Sequence, residues 1–447
     1  MSIKEGMRVA LNEIRETLID SNKLYAKSID EIRPDTDIAS WSAPILAMPE
    51  LLNDFMNQLV QRIVYTQVDL KLFNNPLKVL EGDRLPLGSI GQEIFINPAK
   101  GRKFNVDDFA GLLAKYEADV KVQYHHLNSD IQYPVTITRA KIKDAFVSWG
   151  DLEDFISGIT QSLYNGAYID RYNMTKGLVA SAYAGNNVQV EVINAPNSEA
   201  YAKAFITKAR TIFLNMQTPT SIYNAWNKVG GYGREIITWS NPEDIVFLLR
   251  NDIAGYIDVN VLASAFNIDK SILLGNIIYV NDFNEYDNQG DLVFDGSKIV
   301  GMIADKNWFK IKEQEVTMDE FYNANNRTWQ MYLNDVRMYS YSLFANAVVF
   351  ATEIPDVKAT KIEFVDDTLV EVTEGQKVRR KVSLTPVNAT STVTFTSSDA
   401  TVVKATKIDD RTVELEGMGT DADAVNITAT TESILTDVLQ AKCVAGT

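Results

Sequence analysis

Every tryptophan and every tyrosine of this chain lies before residue 342, and beyond Pro355 the only aromatic rings are Phe364 and Phe395. Two differently built cores follow, one packed around large rings and one around small β-branched residues. The division falls near 353–357, in TEIPDV, where Pro355 favours an extended link. Beyond it, in STVTF, Val393 and Phe395 alternate with Ser and Thr. Val382, Leu384, Val402, Val403, Val413, Leu415, Val425 and Ile427 recur at strand spacing between turn residues. That pattern predicts a small β-sandwich of about ninety residues, appended to the rest of the chain.

The 447 residues suffice for two to three domains. Apolar residues at 46% and charged residues at 23% are ordinary for a globular protein. A formal charge of -16 argues against gripping nucleic acid with the surface as a whole, since phosphate binding runs on Lys and Arg. One cysteine, Cys443, excludes an internal disulfide and speaks against a Cys-ligated metal. The start, MSIKEGMRVALNEIRETLID, interleaves charges through every turn and is not read as a signal peptide. No apolar run is long enough to span a membrane. Synthesis in a cytoplasm is the default, so the N-x-T sequons at Asn173, Asn326, Asn388 and Asn426 are read as chance matches.

Residues 1–66 look helical and arm-like: a charged amphipathic start, an irregular stretch at 33–49, then ELLNDFMNQLVQRIV with Leu51, Leu52, Phe55, Leu59, Ile63 and Val64 on one face. Such a helix either clamps a neighbour or packs on its own core. Residues 67–145 have a β texture. VDLKLF, KVL, RLPLGSIGQEIF, DVKVQY and YPVTITRAKI read as strands, and FAGLLAKY as a short helix. Their many Pro and Gly residues suit a long protruding hairpin that something outside must bury. A long helix is predicted from Asp151 to about Ala184, with Ser148 as N-cap, acids in its first turn and Gly185 as its stop. At 1.5 Å per residue it spans roughly 50 Å. Its apolar face runs through Leu152, Phe155, Ile156, Ile159, Leu163 and Ala167.

From 198 to 326 helix and strand alternate. SEAYAKAFITKARTIFLNM is amphipathic, EIITW reads as a buried strand, and Ser240 to Glu243 form a capping box opening a helix PEDIVFLLR. A helix over DVNVLASAFN and strands NIIYV and KIVGMIADKNWFKI follow, then long strands WQMYLNDVRMYSYSL and ANAVVFAT. The fold class is α+β.

No enzyme site emerges. GGYGRE (230–235) lacks the Lys-Ser/Thr of a P-loop and reads as a flexible loop, and no G-x-S-x-G is present. The only histidines, His125 and His126, are adjacent, so on a strand they face opposite ways and cannot share a metal. The pairs Asp107–Asp108, Asp366–Asp367 and Asp409–Asp410 fit no calcium-loop frame, and NDFNEYDNQGD (281–291) reads as a solvated hairpin loop. No catalytic, cofactor or metal residue is assigned. The basic run VRRK (378–381) either meets an anionic surface or guards an edge strand.

Several stretches carry a family likeness: NNPLK (74–78), PLG (86–88), DAFVSWGDLEDFISGI (144–159), DVNVLASAFNIDKSILLGN (258–276), ADKNWF (304–309) and SLFANAVVFAT (342–352). In number and order they resemble the major capsid proteins of small short-tailed phages of the Bacillus packaging-phage type, the picovirus group, which have the Hong Kong 97 fold. The resemblance implies an N-terminal arm at 1–66, an E-loop with flanking strands of the peripheral domain at 67–145, a spine helix with peripheral and axial domains at 146–355, and a bacterial Ig-like group 2 domain at 356–447. It implies a non-enzymatic subunit of an icosahedral or prolate virion shell, made in the host cytoplasm. Its partners would be copies of itself in hexamers and pentamers, a scaffolding protein and a portal, and it would enclose double-stranded DNA without reading its sequence. Expected assembly contacts are Leu85, Pro86, Leu87, Ile94, Phe95 and Arg102 on the E-loop, with Phe55 and Leu59 on the arm. The competing readings are a cell-surface adhesin or surface-layer protein, and more distantly a polysaccharide hydrolase.

Overall fold

The structure is a computed structural model describing residues 3–20, 29–63, 72–86, 88, 90–103, 114–229, 235–254, 276–287, 291–419 and 423–445. The fold is mixed α+β and divides into two compact units. The first holds residues 1–91, 124–175 and 310–340; the second holds 92–123, 176–309 and 341–447.

In the first unit three helices, α1 (Ile3–Asp20), α2 (Ile38–Ala47) and α3 (Pro49–Ile63), lie in the N-terminal region. The stretch expected to be irregular is therefore partly helical. Asp37 caps α2 by accepting from the Ser40 amide at 3.1 Å, and Pro44 sits inside a helix short enough to lose few bonds to it. Trp41 gives the reason to fold: its ring is buried, meets Phe55 edge-on at 6.1 Å, and its Nε1 donates to the Asp30 carbonyl at 2.8 Å.

The same core takes in Leu11, Ile14 and Leu18 of α1, together with Ile137, Leu163, Trp329 and Met331. Ile137 lies on β3 (Ser129–Thr138). Thr138 then caps the short helix α4 (Arg139–Ala145), so RAKI is helical where a strand is expected. A three-stranded sheet sets β11 (Thr328–Tyr341) between β3 and β10 (Phe309–Asn323), with Trp329 opposite Ile137. The KVL segment is a 3-10 turn, Pro76–Leu80, capped by Asn75 and buried through Leu77 and Leu80.

The long helix α5 runs Trp149–Ala184; residues up to 175 belong to the first unit and the rest to the second. Ser148 caps it as expected, accepting from the Asp151 amide at 3.2 Å. Ile159, Leu163 and Ala167 are buried on the predicted face, while the side chains of Leu152 and Ile156 lie outside the described residues. Its stop is not Gly185 but Asn186, which takes φ 52°; the Asn187 amide reaches the Ala182 carbonyl at 2.8 Å and the Asn186 amide the Tyr183 carbonyl at 2.8 Å. This is the crossed pair of bonds with which a left-handed residue closes a helix, a position asparagine tolerates.

The second unit is built on a five-stranded sheet in the order β4 (Gln189–Val192), β12 (Ala347–Ala351), β9 (Ile299–Asp305), β5 (Ile245–Arg250), β6 (Ile277–Val280). IVFLLR is thus a strand and not the predicted helix. Five apolar residues followed by Arg250 are too few for a helix but enough for a strand buried on both faces, and the expected capping box opens only a 3-10 turn, Pro242–Asp244. Helix α6 (Glu199–Met216), capped by Ser198, covers one face, where Phe205 meets Phe350 at 5.1 Å and Phe247 at 6.0 Å. Gly301 on β9 is required, because a Cβ there would lie 2.7 Å from the Leu248 carbonyl oxygen. A small hairpin pairs β7 (Glu285–Tyr286) with β8 (Leu292–Phe294). The expected helix over 258–267 lies outside the described residues.

Residues 361–444 form two four-stranded sheets. One orders β13 (Lys361–Phe364), β15 (Lys377–Thr385), β18 (Thr412–Gly417) and β17 (Val403–Asp409). The other orders β14 (Val370–Thr373), β20 (Thr436–Val444), β19 (Val425–Thr431) and β16 (Val393–Ser397). Both bury their inward residues in one core drawn from residues 359–443, which contains all eight aliphatic residues singled out by strand spacing.

Candidate assembly surface

The hairpin strands β1 (Gly91–Ile96) and β2 (Val120–His125) pair with each other. Alternation along β1 sends Phe95 to one face and Ile94 and Ile96 to the other. The Phe95 face is bolted down. Its ring stacks on Phe344 at 5.5 Å, and Phe344 in turn meets Trp226 at 5.0 Å. Gln123 of β2 donates to the Tyr341 carbonyl at 2.9 Å and accepts from the Leu343 amide at 2.8 Å. Asn97 donates to the Glu235 carbonyl at 2.7 Å and accepts from the Ile237 amide at 3.1 Å. The opposite face carries Ile94, 56% exposed, Ile96, 62% exposed, and Val120, 47% exposed. A two-stranded sheet fixed on one side and apolar on the other presents unburied apolar surface in the single chain.

In the first unit the chain leading toward this hairpin is pinned to β10. Gly82 donates to the Ile311 carbonyl at 2.8 Å and Leu85 to the Glu313 carbonyl at 2.7 Å. Beneath it, the buried Arg337 guanidinium reaches Glu81 at 3.0 Å, Glu313 at 2.6 Å and Asp335 at 2.8 Å, and Asp335 also accepts from Arg171 at 2.7 Å. A guanidinium fork suits this role, since its fixed donors satisfy three carboxylates at once.

The expected contact residues thus divide. Ile94, Pro86 and Arg102 are exposed, Arg102 lying over the Tyr116 ring at 5.4 Å, and Phe95 is half-buried. Leu85 and Phe55 are covered within their own chain, Phe55 against Trp41 and Phe146. Leu87 and the Leu59 side chain lie outside the described residues. Sequence reasoning passed over Asn97, Gln123 and Arg337. Arg337 left a signal, for Asp335 and Arg337 share a strand face otherwise made of Trp329, Met331, Leu333, Tyr339 and Tyr341.

The other motifs resolve into structural roles. His125 is buried with Nδ1 2.8 Å from Ser340 Oγ, while His126 is exposed. Residues 230–234 of GGYGRE, the FAGLLAKY segment up to 113 and Asp107–Asp108 lie outside the described residues. In the 281–291 run, Asp282 accepts from the buried Lys176 at 2.7 Å, and Asp287 accepts from the Asp291 amide at 2.9 Å. Asp366 is turned onto Thr368, Asp409 onto the Arg411 amide and Asp410 onto Lys407. In the basic run, Arg379 faces Glu414 at 3.3 Å; 377–381 pairs with β18, while β13 accompanies the 382–385 part of β15 and the Val365 amide reaches the Lys381 carbonyl at 3.0 Å. No described helix is long and apolar enough to cross a membrane.

Against known proteins, the family model for the Phi29-like phage major capsid protein matches residues 11–351. The chain belongs to that family. The Phi29-like capsid relatives include the major capsid protein of Bacillus phage B103, 30% identical over 82% of this chain and 77% of its own. That of Bacillus phage PZA is 29% identical over the same shares, 82% and 77%. In three dimensions the chain resembles the capsid structure of Staphylococcus phage Andhra with a TM-score of 0.52 at 14% identity, over 64% of this chain and 86% of that one, which marks a common fold. The Phi29-like match ends on the last residue of β12.

Proposed function

We propose that this protein is the major head subunit of a phage, self-assembling into the shell of the virion around double-stranded DNA, with a structural and not a catalytic role. The hairpin carries the reading: one face is held by Phe95, Asn97 and Gln123, and the other offers Ile94, Ile96 and Val120 to a sister copy. Heterologous contacts of this kind close into hexamers and pentamers. In the finer reading the architecture is of the Hong Kong 97 type, with the arm at 1–66, the E-loop region at 67–145, the spine helix with peripheral and axial domains at 146–355 and an Ig-like group 2 domain at 356–447. Of the expected contacts, Pro86, Leu87, Ile94, Phe95 and Arg102 on the E-loop and Leu59 on the arm are proposed, Leu85 and Phe55 being covered within their own chain. A scaffolding protein, a portal and the enclosed DNA are the further proposed partners.

Expression of the chain and of a variant lacking residues 85–103, followed by electron microscopy and circular dichroism, tests this. Shells or tubes are expected from the parent, and unassembled subunits of matching helical content from the deletion. Ordered particles from the deletion overturn the hairpin's role.

A further inference from the structure

Lys176 of α5 is 1% exposed, one of the largest side chains that the fold hides completely. Its Nζ meets the turn that leaves β6, lying 2.7 Å from Asp282 Oδ1 and 3.3 Å from Asn281 Oδ1. The same carboxylate reaches the second nitrogen of the group, for Asp282 Oδ2 accepts from Asn281 Nδ2 at 2.5 Å. One carboxylate thus touches an amine through one oxygen and a carboxamide nitrogen through the other. The turn holds it there. The Asn284 amide donates to Asp282 Oδ1 at 2.9 Å, and the Gly296 amide donates to Asn284 Oδ1 at 2.9 Å. Phe283 is fully buried, and a Cβ at position 296 would lie 2.2 Å from its carbonyl oxygen, so the backbone beneath the turn must be glycine. All of these residues belong to the second unit.

We propose that Lys176 and Asn281 are the partners of an intrachain isopeptide bond, formed once per chain without any other protein, with Asp282 as the proton carrier. An amine, a carboxamide and a carboxylate in mutual contact are the complete set of groups for amide exchange, and fixing them in place removes the entropy that keeps free side chains from reacting. Asp282 Oδ1 takes a proton from Nζ, and the freed electron pair attacks Asn281 Cγ, one bond beyond the oxygen that Nζ touches. The Nζ–Cγ bond forms, Asp282 Oδ2 delivers the proton to Nδ2, and the Cγ–Nδ2 bond breaks. Two of the three protons of the lysine ammonium pass to Nδ2 in this way, the third stays on the new amide, and the leaving nitrogen departs as ammonium. Nothing is oxidised or reduced and no other reactant is consumed. Asn281 is exposed, which gives the ammonium a way out, while burial of Lys176 keeps bulk water from the attacking side. The product ties α5 to the exit of β6, 105 residues further along the chain.

The test weighs the purified full-length chain under denaturing conditions and then maps it by trypsin digestion. The expected mass is one ammonia below that of the sequence, and the digest contains a branched peptide in which Lys176 is joined to Asn281. A parental chain of full mass overturns the proposal. So does loss of ammonia without the branched peptide, which marks a succinimide at Asn281 instead. Lys176→Arg keeps the cation but lacks the nucleophile and is expected at full mass; loss of the same ammonia from that variant removes Lys176 from the reaction. Asp282→Asn is followed by mass from the end of cell-free synthesis and forms the bond about 100-fold more slowly than the parent. Formation at the parental rate overturns the carboxylate's role. None of these outcomes depends on assembly, so the shell-subunit reading stands or falls separately.

Discussion

Asn186 donates through Nδ2 to the carbonyl oxygen of Asn388 at 2.7 Å, and Asn388 returns a bond through its own Nδ2 to Asn187 Oδ1 at 2.7 Å and to the Gly185 carbonyl. The last turn of α5 and the two-sheet C-terminal region are thus joined by amide groups. Among the described residues, the core drawn from 202–350 and the core drawn from 359–443 share no side chain.

Asn388→Ala removes the two bonds its side chain donates, to Asn187 and to the Gly185 carbonyl, and keeps the one its backbone carbonyl accepts from Asn186. Bonds of this kind contribute about 1 kcal/mol each, so the loss amounts to roughly 2 kcal/mol of docking. Proteolysis and hydrogen exchange of the 352–358 link should rise severalfold while the thermal transition of the C-terminal sheets stays in place. Unchanged protection of the link contradicts the joint.

Lys228 enters the same joint, donating to Asn186 Oδ1 at 2.5 Å and to the Val188 carbonyl at 2.8 Å. Burial pushes its amine down to about 8 from 10.5. Between those values the unfolded chain binds the proton and the folded chain does not, so the burial cost is relieved and stability rises as pH climbs from about 8 toward 10. A neutral amine still carries two donors for its two acceptors. Above 10 the trend reverses: burial, and then the nearby Glu353, pushes the Tyr183 hydroxyl up to about 12, so the unfolded tyrosine sheds its proton first. Urea unfolding at pH 7.5 and 9.5 is expected to show the gain in the parent and its loss in Lys228→Met.

Arg337→Met leaves Glu81, Glu313 and Asp335 facing one another with one cation fewer. Removing one partner from a buried ionic group costs about 3–5 kcal/mol, far more than an exposed pair. Chemical denaturation should report a loss of that order, and the first unit should lose its hold on residues 81–85. A loss below about 1 kcal/mol contradicts the assigned role.

Ile434 sits at φ 63° and is 82% exposed. A β-branched residue in the left-handed region carries about 1–2 kcal/mol of strain that burial does not offset here. Ile434→Gly should therefore raise the melting temperature of the C-terminal sheets by several degrees. A drop on that substitution would show that the isoleucine is held by contacts of its own.

What the sequence disclosed depended on how far each signal reached. The aliphatic alternation from Val382 to Ile427 and the capped, acid-led start of α5 are local patterns, and both appear where periodicity placed them. IVFLLR misled because a short apolar run fits helix and strand alike, and only its place between β9 and β6 decides. EIITW misled because its in-and-out pattern is set by Asn346, more than a hundred residues away. Ile94 was recognisable from alternation, whereas Asn97 and Gln123 were not, since their partners at Glu235 and Tyr341 are distant in the chain.

The self-contained packing of residues 359–443 has a historical consequence. A segment whose interior borrows nothing from its neighbour can be gained, traded or discarded between lineages by recombination near Pro355. Among the described residues, the amide bonds linking Asn186, Asn187 and Asn388 would then need to be renegotiated at the seam.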